Sequence, residues 1–228
     1  MAEIITIDGP AGSGKSTVSR LLAGRLKVQY LDTGAMYRAV AFQAKREGID
    51  LKDREKISRL CRDLDLHFKT LDGTTRVFVG AEDISAGIRS PEMDMLSSAI
   101  SAIKEVREAM TLLQRKMAGE GGGVVAEGRD MGTVVFPDAD YKFFVNADTK
   151  VRAGRRYRER LERGESVSRG EVEKELRKRD DQDMTRALAP LVPAKDATII
   201  DTTNLTVEEV VEKMVRTMET GDKKTLKE

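Results

Sequence analysis

The 228 residues are 39% hydrophobic and 35% charged with only five Pro, which excludes a disordered or collagen-like chain and allows one α/β core with an inserted subdomain. Forty Lys and Arg against thirty-nine Asp and Glu, together with six Phe, four Tyr and no Trp, leave neither the global charge nor the stacking platforms of a general nucleic-acid binder. The lone Cys61 excludes an intramolecular disulfide or a cysteine-rich zinc cluster, no apolar run approaches the ~20 residues of a membrane span, and MAEIITIDGP lacks a signal peptide's n-region and long apolar stretch, so a cytoplasmic protein is expected.

In chain order, Glu3–Ile7 is a short β-branched run ending in Asp8-Gly9-Pro10, the pattern of a buried strand entering a loop. Val18, Leu21, Leu22 and Leu26 predict a helix over Ser16–Leu26. A second strand around Val28–Leu31 leads through Asp32-Thr33-Gly34 into a helix over Ala35–Glu47 with Met36, Val40 and Ala44 on one stripe. The texture then changes. A charged helix over Asp53–Arg62 precedes two extended runs flanking Asp72-Gly73, a hairpin signal, and Ser90-Pro91-Glu92 reads as an N-cap with Pro at the first helical position. An antiparallel hairpin within an alternating pattern marks residues 49–101 as an insertion into a core formed by 1–48 and 102–228.

The core pattern resumes with a helix over Lys104–Ala118 and a strand over Gly123–Ala126 running into Glu127-Gly128-Arg129-Asp130. A strand over Tyr141–Val145, an arginine-rich helix over Thr149–Arg163, a capping box at Ser168-Arg-Gly-Glu171 opening a helix to about Asp183, and a strand over Ala197–Ile200 follow. Thr206-Val-Glu-Glu209 caps a last helix, and the polar tail from Gly221 is expected to fray. Strands alternating with helices predict an α/β fold with a mostly parallel sheet covered on both faces.

Gly9-Pro10-Ala11-Gly12-Ser13-Gly14-Lys15-Ser16 matches G-x-x-x-x-G-K-[ST] between a predicted strand and a predicted helix, the context this motif requires. Its glycines let backbone N–H groups converge on phosphate oxygens, and the helix N-terminus adds partial positive charge. Lys15 is expected to bridge the β- and γ-phosphates of a nucleoside triphosphate and Ser16 to offer its hydroxyl to magnesium, with Thr17 completing the set that binds ATP. No Asn-Lys-x-Asp base-reading motif follows the Tyr141–Val145 strand, and no Leu-Ser-Gly-Gly-Gln signature is present, so neither a GTPase nor an ABC-type ATPase is indicated. Lys150 to Arg163 holds seven basic residues against two acidic ones. Arg152, Arg155 and Arg156 share a helix face, where guanidinium groups would stabilise a transferring phosphoryl group; a solvated basic face or an RNA-contacting helix is the competing reading. Gly154 and Gly164 would lend mobility to a lid.

Four segments in this order resemble the bacterial cytidylate kinases, within the nucleoside monophosphate kinase group: Ile7–Ser16, Leu31-Asp-Thr-Gly-Ala-Met-Tyr-Arg38, Glu127-Gly-Arg-Asp-Met-Gly-Thr-Val-Val-Phe-Pro137, and Arg179-Asp-Asp-Gln-Asp-Met-Thr-Arg186 with Ala189–Pro193. The resemblance implies a P-loop NTPase core with a five-stranded parallel sheet, a hairpin-containing CMP-binding insertion over 49–101 and a lid over about 149–170. It implies transfer from ATP, with Mg2+, to CMP and dCMP by a cytoplasmic monomer that needs no nucleic acid or membrane. It assigns Thr33, Tyr37 and Arg38 to the monophosphate pocket, and Ser98, Arg107 and Asp130 to the cytosine. Arg129 and Arg186 fall to the acceptor phosphate, and Arg179 and Asp183 to the ribose. A carboxylate at Asp130 accepts from the cytosine N4 amino group and meets the uracil carbonyl acceptor to acceptor. Taken alone, Asp130 would also fit a turn cap, and Arg179 with Asp183 an exposed helix ion pair. Ser97 adjoins Ser98, so helix phase leaves the choice between them open, and Glu127 stands where an Asp is expected, which leaves its relation to magnesium open. A kinase of the shikimate or gluconate type is the competing enzyme reading, and a nucleotide-dependent RNA-binding protein the competing reading of another class.

Overall fold

Strand β1 (Glu3–Asp8) runs into the phosphate loop from the centre of a five-stranded sheet in the order β2-β6-β1-β7-β8. The computed structural model describes residues 3–71 and 74–221, so the expected Asp72-Gly73 turn and the tail beyond Gly221 lie outside the described residues. The other strands of this sheet are β2 (Gln29–Asp32), β6 (Gly123–Gly128), β7 (Tyr141–Asn146) and β8 (Thr198–Asp201). β1 pairs parallel with both β6 and β7, and β7 parallel with β8. β6 is buried along its whole length, as its unbroken Val-Val-Ala run predicts for a strand covered on both faces.

The order reverses at β1: the chain builds β2 and β6 on one side and then β7 and β8 on the other. Ligands of open α/β sheets bind beyond the carboxyl ends of the strands at such a switch point. The register pairs Asp8 with Gly128, so the phosphate loop and the Arg129-Asp130 segment leave the sheet side by side. α1 (Lys15–Leu26) and α8 (Val207–Thr220) bury Val18, Leu22, Val210, Val211 and Met214 against Ile5, Ile7, Phe143 and Val145, which fixes the sheet beneath the loop. α6 (Thr149–Glu162) and α7 (Arg169–Thr185) pack on each other. Both expected capping boxes are present, at Ser168 with Glu171 and at Thr206 with Glu209, each contributing about 1 kcal/mol.

The described chain divides into two compact units, residues 1–31 with 117–228, and residues 32–116. The second is wider than the expected 49–101 insertion, because α2 (Thr33–Arg46) packs on α3 (Arg54–Asp63) and α4 (Pro91–Ile100), and α5 (Lys104–Gly119) runs through its far boundary. α2 buries the expected stripe of Met36, Val40 and Ala44, and the Asp32 carboxylate caps it by accepting from the Ala35 N–H at 2.8 Å. β3 (Leu66–Leu71) and β4 (Thr74–Val79) form the expected antiparallel pair, and a two-residue strand, β5 (Glu82–Asp83), extends it into a three-stranded sheet. Ser90 caps α4, accepting from the Met93 N–H at 3.2 Å, with Pro91 at its first position.

Candidate active site

The phosphate loop is shaped by what its neighbours leave no room for. Gly9 has φ +151°, and a Cβ there would lie 2.0 Å from the Val145 carbonyl oxygen. At Gly12, with φ +73°, a Cβ would lie 3.0 Å from the Arg152 carbonyl oxygen and 3.2 Å from the Arg152 Cβ. Neither position admits a side chain, so the amides of Gly9 to Gly14 can turn inward over the N-terminus of α1. The Lys15 ammonium folds back and donates to the Pro10 carbonyl at 2.7 Å. Ser16 donates from Oγ to Glu127 Oε2 at 3.0 Å, and the Tyr30 hydroxyl donates to Glu127 Oε1. Glu127, whose role the sequence leaves open, is thus a buried carboxylate beside the loop's serine at the carboxyl end of β6.

Lys15 is 7% exposed and lies in a field of charge. Burial, then Arg129, push its ammonium down to about 7, with Glu127 and Asp183 opposing and Arg179 adding to the depression. Arg129 donates from Nε to Asp183 Oδ2 at 2.8 Å. Asp183 is buried, so its charge faces Arg179 inside the protein rather than on an exposed helix surface. Burial raises its pKa, but Arg129, Arg179 and Arg186 together hold its carboxyl below the ordinary value. Arg186 donates from Nε to the Ala189 carbonyl at 2.7 Å and stands 3.5 Å from Asp130 Oδ1. Arg129, Asp130, Arg179, Asp183 and Arg186 are therefore brought together with the loop's lysine.

Asp130 opens a single wide, π-helical turn over Met131–Val135, in which the Val135 N–H reaches back to the Asp130 carbonyl at 3.2 Å. Asp130 is not its side-chain cap. That role falls to Asp8, whose carboxylate accepts from the N–H groups of Met131 at 2.9 Å and Gly132 at 2.8 Å. Burial pushes the Asp8 carboxyl up to about 7 against those two donors. Asp8 was not singled out in the sequence, although an acid closing an otherwise apolar buried strand is a signal. Tyr30 gave none, since its partner lies 97 residues away.

Arg152 and Arg155, expected at the transferring phosphoryl group, both donate to protein acceptors. Arg152 is 5% exposed and donates to Ala147 O, Ala11 O, Asp180 Oδ2 and Thr149 Oγ1 at 3.0, 3.1, 2.6 and 3.1 Å. A guanidinium buried this deeply must be satisfied, and its acceptors join the phosphate loop to α6 and α7. Arg155 donates to Thr202 Oγ1 and the Thr202 carbonyl at 3.1 and 2.6 Å. Arg156 remains nearer the surface and pairs with Glu159 of its own helix at 2.6 Å.

In the unit of residues 32–116, Thr33 opens α2, and Tyr37 and Arg38 follow one turn on. The Arg107 guanidinium lies 5.5 Å over the Tyr37 ring and donates to the Ser101 carbonyl at 2.9 Å. Arg38 stands 3.9 Å from Asp94 of α4. Ser97 and Ser98 are both buried, and the Ser97 hydroxyl donates to the Asp94 carbonyl within its own helix. Thr33, Tyr37, Arg38, Ser98 and Arg107 are thus carried by the helices α2, α4 and α5 of one unit.

Comparison with known proteins identifies the family. A family model described as Cytidylate kinase matches residues 5–220. The chain belongs to the cytidylate kinase family. It is accordingly a nucleoside monophosphate kinase, a phosphotransferase, and neither the shikimate- or gluconate-type reading nor the RNA-binding one is needed. The cytidylate kinase of Geobacter sp. strain M21 is 49% identical over 215 residues, covering 94% of this chain and 92% of its own. That of Pelotomaculum thermopropionicum is 49% identical over 218 residues, covering 95% and 96%. A solved structure of an uncharacterized protein from Eubacterium ventriosum ATCC 27560 superposes with a TM-score of 0.52 at 13% identity, covering 96% of this chain and 99% of that chain, a likeness of fold alone. Among the described residues no helix is long and apolar enough to cross a membrane.

Proposed function

We propose that this cytidylate kinase transfers the γ-phosphoryl group of ATP to CMP, and to dCMP, by in-line displacement without a covalent enzyme intermediate. The observation that carries this reading is the burial of Lys15 among Arg129, Arg179, Glu127 and Asp183, which puts the donor-phosphate lysine in one field with the acceptor-side arginines. The backbone N–H groups of Ala11, Gly12, Ser13 and Gly14 would cradle the triphosphate, with Gly9, Pro10 and Thr17 forming the same site. Lys15 would leave the Pro10 carbonyl for the β- and γ-oxygens.

As the family resemblance implies, Arg129 and Arg186 would hold the acceptor phosphate, and Thr33, Tyr37 and Arg38 would line the monophosphate pocket. Arg179 and Asp183 would hold the ribose, and Ser98, Arg107 and Asp130 the cytosine. Arg156, which pairs with a half-exposed glutamate of its own helix, would swing to the transferring group, whereas Arg152 and Arg155 would position the loop. The Ser16 hydroxyl and the Glu127 carboxylate, hard oxygen donors already 3.0 Å apart, fit Mg2+, which takes one or two protein oxygens and completes its shell with phosphates and water. When bound, the ion neutralises charge on the β- and γ-phosphates. The enzyme acts as a cytoplasmic monomer on small molecules alone.

An acceptor panel of CMP, dCMP, UMP, AMP, shikimate and gluconate with ATP and magnesium in a coupled ADP assay tests this. CMP and dCMP should lead by at least about tenfold; a preference for any other acceptor would overturn the reading.

A further inference from the structure

Four side chains beside the phosphate loop close a circuit. Ser16 and Arg20 lie one turn apart on α1. Ser16 donates to one oxygen of Glu127, the Tyr30 hydroxyl donates to the other, and the Arg20 guanidinium lies 5.9 Å over the Tyr30 ring. A carboxylate offers about four lone-pair positions, and these two hydroxyls occupy one on each oxygen. Glutamate has three side-chain torsions, so a metal-facing Glu127 with no second contact would sample several rotamers and lose entropy on coordination. The Tyr30 hydroxyl removes that freedom by anchoring the oxygen that does not face Ser16. Arg20, packed over the ring face, holds the tyrosine from the same helix that carries the serine.

We infer that Tyr30 is a positioning residue for the magnesium site, orienting Glu127 so that its other oxygen and the Ser16 hydroxyl present one preformed pair of donors. This rests on the reading of Ser16 and Glu127 as the magnesium-facing pair. Tyr30 would act through Glu127 rather than on the nucleotide or ion directly. Residues that orient a metal ligand from behind typically change metal affinity by about 10–100-fold when lost.

The test is Mn2+ binding to the ADP-loaded enzyme, followed by electron paramagnetic resonance, in the wild type, Tyr30→Phe and Glu127→Gln. Tyr30→Phe keeps the ring and its contact with Arg20 and should raise the Mn2+ Kd about tenfold. The magnesium concentration for half-maximal activity should rise in parallel, while kcat at saturating magnesium and the melting temperature stay near wild type. Glu127→Gln should weaken Mn2+ further. Wild-type Mn2+ affinity in Tyr30→Phe beside weakened affinity in Glu127→Gln would overturn the role of Tyr30 and leave the magnesium reading standing. Wild-type affinity in Glu127→Gln would overturn that reading itself. Should Tyr30→Phe fold poorly, 3-fluorotyrosine placed at position 30 keeps the hydroxyl. Its fluorine resonance should shift when magnesium is added to the ADP complex, and a resonance insensitive to magnesium would overturn the proposal.

Discussion

The arginines of α6 and those flanking α7 are the same residue type at similar density, yet the fold uses them in opposite ways. On α6, Arg152 and Arg155 donate to carbonyls, hydroxyls and, for Arg152, Asp180, and Arg160 is paired with Glu165 and Glu175 at 2.7 Å each. Around α7, burial and then Arg129 and Arg179 depress Lys15, and Arg129, Arg179 and Arg186 hold the buried Asp183 below its ordinary value. Arginine density therefore does not identify a phosphoryl site. What marks it here is buried positive charge gathered around the lysine of the phosphate loop, a field to which an incoming phosphate adds negative charge.

The sharpest way to break this contrast is Lys15→Ala. Transfer should fall by about 10³-fold or more in a coupled ADP assay, with the circular dichroism melt unchanged or raised, since a buried cation is removed. Full turnover would remove the phosphate-loop assignment. Arg152→Ala attacks the other region. Asp180 would be left buried without its partner, a loss of about 3–5 kcal/mol and a fall in melting temperature of about 10 °C in a thermal melt. A stable Arg152→Ala protein that has lost only kcat would return Arg152 to the reacting phosphate. Asp130→Ala should cut the CMP/UMP ratio of kcat/KM by about 10²-fold, and an unchanged ratio would mean that Asp130 does not read the base. Arg156→Ala should lower kcat by about 10-fold or more at an unchanged melting temperature, opposite in pattern to Arg152→Ala.

The smallest expected signal is a fraction of a proton. Burial and Arg129 hold the free Lys15 at about 7, and phosphate oxygens favour its charged form. Between pH 7 and the raised value in the complex, bound enzyme carries more protons than free enzyme, so ATP binding takes up protons and weakens as pH rises through that window. Calorimetry at pH 8 in buffers of different ionisation enthalpy should register uptake in the wild type and none in Lys15→Ala.

Most of the architecture was legible because it is written in local patterns. Short apolar runs, helical stripes and capping boxes depend on residues a few positions apart, and β1, α1, α2, β6, β7 and α8 follow them within a residue or two at most ends. The phosphate loop was legible for the same reason. β5 was not, because two acidic residues at a sheet edge carry no strand signal. Nor was the wide turn after Asp130, whose donors are met by Asp8 from 123 and 124 residues away. The fate of Arg152 depended on Asp180, 28 residues on and on a different helix, so helix-face spacing grouped it with Arg156 although their surroundings differ. The family likeness pointed to Arg129, Arg179 and Asp183, whose charges the fold sets around Lys15, but it said nothing of Asp8 or Tyr30.

The two amides gripped by Asp8 carry a consequence for redesign. Residue 130, assigned to the base, can be exchanged with the backbone kept in place, because the strand behind it and the turn ahead of it are fixed independently. Lengthening that connection by a single residue would pull the turn off a carboxylate sealed away from solvent, stranding an acid and two donors at once. Teaching this scaffold to accept a different nucleobase is therefore a matter of swapping letters, never of adding them.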